Sequence, residues 1–228
     1  MKTVCLIAAF CVSTMFGQTP SVRRPFIRAV GSASVSAKPD QVRIDLGVVT
    51  QAATAQEAST QNAAQVAAVL DKLRSAAGAG ADIKTISYTL NPNYISPQGG
   101  GAPILQGYTA TNIVEVSTDN LASAMIGNII DAGIAAGANR VQSVQFLLKD
   151  NQPVQAEALR MAAARARSQV EAIASGLGVK PGAVLSAEEG SSYNIQPLGA
   201  TANTGAATPI LPGLIEVRAT VTLELEIT

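Results

Sequence analysis

Apolar and polar residues alternate most cleanly at the end of the chain, where Ile215, Val217, Ala219, Val221, Leu223, Leu225 and Ile227 interleave with Glu216, Arg218, Thr220, Thr222, Glu224 and Glu226. A period of two puts one set on each side of a pleated strand, one side buried and the other solvated. At strand rise such a stretch reaches roughly 40 Å. That is longer than a small sheet needs, so the strand is expected to overhang its sheet or to bend at a bulge. It is expected to pair with the N-terminal strand, with another subunit, or with both, because an unpaired edge of this kind invites aggregation.

The same period appears at Val42, Ile44, Leu46 and Val48, set against Arg43, Asp45 and Gly47, which reads as a half-buried strand. From Thr54 the period changes. Thr54 and Glu57 have capping-box spacing, Val66, Val69, Leu70 and Leu73 fall at helical spacing, and Gly78 and Gly80 lie where a left-handed residue ends a helix. Ahead of this unit, Phe26 to Lys38 reads as a strand that stops at Pro39, and the Pro39–Asp40 turn lets the two strands pair as a hairpin. Behind it, Ile83 to Leu90 is a further strand, Asn91 to Gln106 a Pro/Gly-rich connection, and Tyr108 to Ser117 the next strand. Asp119 is the expected cap of a helix through Ala122, Met125, Ile126 and Ile129, which ends at Gly133 and the Gly137-Ala138-Asn139 turn; Arg140 to Lys149 is then a strand.

Two β-α-β units in succession predict an α+β fold: a ferredoxin-like β-α-β-β-α-β arrangement, over about residues 39–149, with helices on one face of an antiparallel sheet. Residues 150–228 add to it. Asn151 to Gly178 reads as a long helix with Asn151 as cap and Pro153 in its first turn, and Leu159, Ala163, Ala166, Val170, Ile173 and Leu177 form an Ala-rich seam for close packing within the domain or between subunits. Ala183 to Glu188 is a short strand, and Gly190 to Gly213 is a low-complexity Gly/Ala/Thr/Pro/Asn stretch.

Composition narrows the function. The chain of 228 residues is 47% hydrophobic and 14% charged, which suffices for a packed core. Its 16 basic residues balance 16 acidic ones, and no Lys/Arg run suggests a nucleic-acid footprint. Lys2 followed by the apolar run Val4 to Phe16 predicts a secretory signal over residues 1–17, cut near Gln18, with the domain occupying 18–228. Cys5 and Cys11 both fall inside that leader, so the mature chain is expected to hold no thiol and no disulfide.

The absence of His and, after export, of Cys removes Ser-His-Asp and Cys-His nucleophiles and His-based zinc sites. No phosphate-loop or dinucleotide fingerprint is present, and Gly99, Gly100 and Gly101 read as a loop tip. Of the carboxylates, Glu188 with Glu189 and Glu224 with Glu226 read as solvated pairs, and Arg160, Arg165 and Arg167 with Glu157 and Glu171 as surface ion pairs. Asn112, on a face it shares with Tyr108 and Val114, is the polar residue to inspect, its expected role a satisfied structural hydrogen bond. No catalytic, cofactor-binding or metal-binding residue is assigned.

Several stretches together are familiar: GSASVSAKPD (Gly31 to Asp40), Glu57, Ala58, Asn62 and Ala63 in the first helix, DIKT (Asp82 to Thr85), GYTATN (Gly107 to Asn112), the Gly137-Ala138-Asn139 turn with Phe146, and EALRMAAARARSQVEAIASGLG (Glu157 to Gly178). In this order they resemble the SIMPL-domain family, over roughly Phe26 to Thr228. The resemblance implies a periplasmic or outer-membrane-associated bacterial protein without established enzymatic activity, self-association into a large, ring- or channel-like homo-oligomer, and a link to oxidative-stress defence. No family residues carry a defined catalytic role, and none is carried over. The expectation is therefore an exported scaffold or channel-like protein that is no enzyme, needs no cofactor, binds no nucleic acid, is a homo-oligomer, associates peripherally with the outer membrane and takes an unknown small-molecule ligand if any. The alternative is a monomeric periplasmic binding module acting through Asn91 to Gln106 and Gly190 to Gly213.

Overall fold

The computed structural model describes residues 24–97, 99–190, 196–197 and 212–228. The predicted leader and most of the low-complexity stretch lie outside the described residues. In chain order the elements are β1 (Phe26–Ala37), β2 (Gln41–Ala52), α1 (Ala55–Ala77), β3 (Asp82–Ile95), β4 (Ile104–Thr118), α2 (Ser123–Ala135), β5 (Arg140–Leu147), α3 (Gln152–Leu177), β6 (Pro181–Gly190), β7 (Gln196–Pro197) and β8 (Ile215–Ile227).

β2 to β5 form an antiparallel sheet in the order β3-β4-β2-β5, and with α1 and α2 they complete the ferredoxin-like unit. The apolar side of β2 (Val42, Ile44, Leu46, Val48) meets Val114 and Val116 of β4, and α1 and α2 close the layer with Val66, Val69, Leu73, Ile126 and Ile129. Thr54 caps α1 by accepting a 3.2 Å bond from the Glu57 amide, and Gly78, with φ of 78°, ends it. α2 begins differently from the expectation. Its N-cap is Ala122, whose amide donates to Asn120 Oδ1, while Asp119 is held by Lys149 Nζ at 2.9 Å. That contact lowers the carboxyl pKa of Asp119 and raises the ammonium pKa of Lys149.

The second sheet has the order β1-β8-β6, with β7 beside the start of β8. β1 does not pair with β2. All of β1 is antiparallel to β8, from Phe26 opposite Glu226 to Ala37 opposite Ile215, so the long terminal strand is matched along its whole length and does not overhang. The reason lies in side-chain size. β1 offers a thin face of Ala29, Gly31 and Ala33 that suits the Ala stripe of α3, whereas the Val/Ile/Leu face of β2 needs the bulkier α1–α2 layer. The stripe differs from the predicted seam: Ala158, Ala162, Ala166, Val170 and Ala174 are buried, while Ala163, Ile173 and Leu177 are exposed. Asn151 stands at the N-cap of α3 without a side-chain bond; Asp150 accepts from the Gln152 amide instead.

Where the sequence suggested a connection from Asn91 to Gln106, strands continue. β3 runs on to Ile95 and β4 starts at Ile104, with bulges near Ile86 and Gln106. Pro92 is compatible because β3 is an edge strand, where a missing amide breaks no inner ladder. β2 ends at Ala52, opposite Tyr108, so the last rows of β3 and β4 stand beyond the sheet as a two-stranded ribbon.

Candidate functional site

Both helices of the ferredoxin-like unit cover one side of its sheet, and the other side carries a row of charges. Lys84, Glu115, Asp45 and Ser143 stand in register across β3, β4, β2 and β5. Arg43, on the same side of β2, approaches Glu115 from the next row. Glu115 is only 6% exposed and its carboxylate is well served: Lys84 Nζ lies 3.0 Å from Oε1, Arg43 Nε 3.3 Å from Oε2, and Ser117 Oγ donates to Oε1 at 3.3 Å. The bond to Glu115, and next that to Asp82, raises the Lys84 ammonium pKa above its ordinary value. Asp45, 9% exposed, has less support. Ser143 Oγ donates to Oδ2 at 2.7 Å, and Oδ1 has no partner.

Two carboxylates thus sit on directly opposed residues of neighbouring strands, a position where like charges repel. Replacing one charge tests which carries weight. Glu115→Gln leaves Arg43 without its counter-charge and Lys84 with Asp82 alone, and is expected to cost about 1–2 kcal/mol, whereas Asp45→Asn removes a repulsive neighbour and is expected to change stability by less than about 0.5 kcal/mol. Urea unfolding of both variants checks the order; equal losses would mean that Asp45 is held as firmly as Glu115.

Two concavities lie away from this row: an uncharged notch of about 310 Å³ between Gln51, Ala52, Asn93, Gln106, Gly107 and Tyr108 at the root of the ribbon, and one of about 510 Å³ near Arg74, Gly78 and Asp82. In the first, Asn93 Nδ2 already donates to Thr109 Oγ1 at 2.6 Å. Among the described residues no three His, Cys, Asp or Glu side chains come together as a metal-ligand set, and no helix is long and apolar enough to cross a membrane.

The residues singled out in the sequence are dispersed. Glu224 and Glu226 pair with Arg28 at 3.6 Å and Arg24 at 3.4 Å on the solvent side of β8. Arg167 meets Glu171 at 3.0 Å, Arg160 meets Glu157, and Arg165 Nη1 donates to the Ser32 carbonyl at 2.7 Å, tying α3 to β1. Glu188 and Glu189 are exposed near the end of β6, and Gly99, Gly100 and Gly101 form the ribbon turn with φ of 112°, 86° and 153°. Asn112 departs from expectation, since its buried Oδ1 has no hydrogen-bond partner. The anchoring amide belongs to Asn62 on α1, fully buried, whose Nδ2 donates to Val48 O at 2.9 Å and Ala110 O at 3.3 Å.

What remains conspicuous is apolar surface along β3 and the ribbon. Ile86, Tyr88 and Leu90 are exposed on the edge strand, and Tyr94, Ile95, Ile104 and Leu105 at the ribbon end are between 44% and 59% exposed. No charged residue occurs between Lys84 and Glu115. Edge strands in soluble proteins usually carry charges that prevent pairing with other chains.

Comparison with known proteins places the chain among relatives. A family model described as SIMPL, protein of unknown function (DUF541), matches residues 27–225. The chain is 27% identical over 192 residues to a 26 kDa periplasmic immunogenic protein of Brucella melitensis biotype 1, covering 82% of this chain and 76% of that one. It is 31% identical over 173 residues to the uncharacterized protein YggE of Edwardsiella ictaluri (76% and 71% covered), and 29% identical over 199 residues to YggE of Escherichia coli K12 (86% and 79% covered). With the family model spanning both sheets and all three helices, the chain belongs to the SIMPL family of proteins of unknown function.

Proposed function

We propose that this protein is a non-enzymatic component of the bacterial periplasm that acts by assembling with copies of itself into a scaffold or channel-like body. The carrying observation is the edge strand β3, which presents Ile86, Tyr88 and Leu90 with no charged residue after Lys84 to keep another chain away. The periplasmic setting is supported by the name of the Brucella relative and by the apolar leader sequence. The other two elements suited to assembly are spent inside the protomer, because β8 lies between β1 and β6 and the Ala stripe of α3 packs on β1 and β8. A part in oxidative-stress defence would pass through the assembled body, since the chain has no His and its two Cys lie in the leader.

Light scattering on purified protein is expected to give a multiple of the protomer mass. Ile86→Lys combined with Leu90→Lys places two charges on the edge and is expected to yield monomer with unchanged circular dichroism. A monomeric parent protein would overturn the proposal.

A further inference from the structure

The sheet of the ferredoxin-like unit narrows where β2 stops. β2 ends at Ala52, opposite Tyr108 of β4, and β3 and β4 continue past it. The step leaves the notch of about 310 Å³ lined by Gln51, Ala52, Asn93, Gln106, Gly107 and Tyr108, a volume at the lower end of those that hold small ligands. Two backbone features shape it. Gln106 has no residue opposite it, because the β3–β4 register shifts between the Asn93–Gly107 and Tyr94–Leu105 rows, and bulges of this kind re-aim a side chain. Gly107 follows with φ of 149°, and a Cβ there would stand 2.6 Å from the Ala52 carbonyl oxygen, so no side chain fits between β4 and the end of β2.

The groups around the notch are uncommitted. Among the described residues, no hydrogen bond is formed by the side chains of Gln51, Gln106 and Tyr108, and Asn93 uses its Nδ2 on Thr109 Oγ1 while its Oδ1 is left over. Each primary amide both donates and accepts, and Tyr108 adds a flat apolar ring with a hydroxyl at its end. Charge is absent. No Asp, Glu, Lys or Arg occurs between Asp45 and Glu57 or between Lys84 and Glu115, the two stretches that supply the lining.

A phosphate, a carboxylate or a metal ion would find no counter-charge here. An apolar ligand would leave the amides unpaired. A neutral molecule dense in hydroxyl or acetamido groups meets both conditions, because those groups also donate and accept. A peptide fits less well: peptides added to a sheet bond through main-chain groups and seat alternate side chains in pockets, whereas the free groups here are side-chain amides.

We propose that the notch at the root of the β3–β4 ribbon binds a neutral saccharide, with Gln51, Asn93 and Gln106 bonding its hydroxyl or acetamido groups and the Tyr108 ring lying against a sugar face. This does not rest on self-assembly, which uses Ile86 and Leu90, residues outside the notch.

The test is saturation-transfer NMR on the purified protein with N,N′-diacetylchitobiose and with maltose. Transfer to at least one of the two sugars is expected, together with a shift of the Tyr108 ring resonances, assigned through Tyr108→Phe. Gln51→Ala combined with Gln106→Ala removes two side chains that hold no bond within the protein, so circular dichroism should be unchanged while affinity falls about tenfold or more. Gln142→Ala, at an exposed amide on β5, is expected to bind as the parent does. The Ile86→Lys/Leu90→Lys protein is also expected to bind as the parent does, which separates this proposal from assembly. Absence of transfer to both sugars, unchanged affinity in the double glutamine variant, or equal loss in the Gln142 variant would each overturn the proposal. So would loss of binding in the Ile86→Lys/Leu90→Lys protein, which would place the sugar on the assembly edge. Tighter binding of the uncharged peptide acetyl-trialanine amide than of either sugar would overturn it too, and would give the notch to a polypeptide.

Discussion

Gly31→Ala is expected to destabilise the protein by about 3 kcal/mol, the upper range for forcing volume into a packed site, although it adds one methyl group to a β-strand. A Cβ at position 31 would stand 2.1 Å from the Ala162 carbonyl oxygen, 2.3 Å from the Ala166 nitrogen and 2.9 Å from the Ala166 Cα. All three are backbone atoms of α3, so no side chain can rotate out of the way. The helix itself would have to lift by more than 1 Å to restore ordinary contact. Lifting it opens both small cores of this sheet, because Gly31 lies between Ala29, which packs with Ala166, Val170 and Leu223, and Ala33, which packs with Ala158, Ala162 and Val221. For a chain of this size the loss corresponds to a drop in melting temperature of roughly 6–12 °C. Hydrogen exchange should show the loss in α3 and β1 while α1 stays protected, since α1 packs on the other sheet. A drop under about 2 °C would mean that strand and helix do not touch at Gly31.

This contact also shows where sequence reading reached and where it stopped. The β2–α1 unit was legible because both periods are written in large residues, and the same Val and Leu side chains fill the core. In α3 the signal is weaker. Ala residues lie on every side of the helix, so the choice between Ala162 and Ala163 as the buried one rests on the partner strand and not on hydropathy. The buried positions step by four, which drifts about 40° per step on a helix of 3.6 residues per turn, and such a winding stripe is masked by its Ala-rich surroundings. Pairing of β1 with β8 was among the expected outcomes, but a local β1–β2 hairpin was equally compatible with the pattern, and only the fit of small residues against α3 decides between them. The charged row was hidden for another reason. Alternation assigns Asp45 to the polar side of β2 and Glu115 to that of β4, yet it carries no information on register, and it is register that sets the two carboxylates opposite each other and encloses them.

The second large effect is expected at Asn62. This amide projects from α1 into the joint between β2 and β4, donating to the carbonyls of Val48 and Ala110, and Thr50 Oγ1 returns a bond of 2.8 Å to the Ala58 carbonyl one turn earlier. These polar bonds hold the first half of α1, while Val66, Val69 and Leu73 hold the second half by apolar contact. Asn62→Leu keeps the volume and loses the donors, and is expected to cost about 1–2 kcal/mol, the worth of the two bonds. Asn62→Asp keeps the shape but directs a carboxylate oxygen at two carbonyl oxygens in a fully buried place, and is expected to cost roughly 3–5 kcal/mol near neutral pH. The pH dependence separates charge from shape. Burial and the facing carbonyls raise the folded-state pKa of the introduced carboxyl above its unfolded value, so its penalty is present above that raised pKa and shrinks as pH falls through it, when the protonated acid can donate to one of the carbonyls. Stability of the Asp variant measured against the parent should therefore recover between neutral pH and about pH 4, while the Leu variant keeps a constant deficit. If both variants lost the same amount at every pH, Asn62 would be acting through its volume, and the hydrogen bonds to Val48 and Ala110 would contribute nothing to the docking of α1.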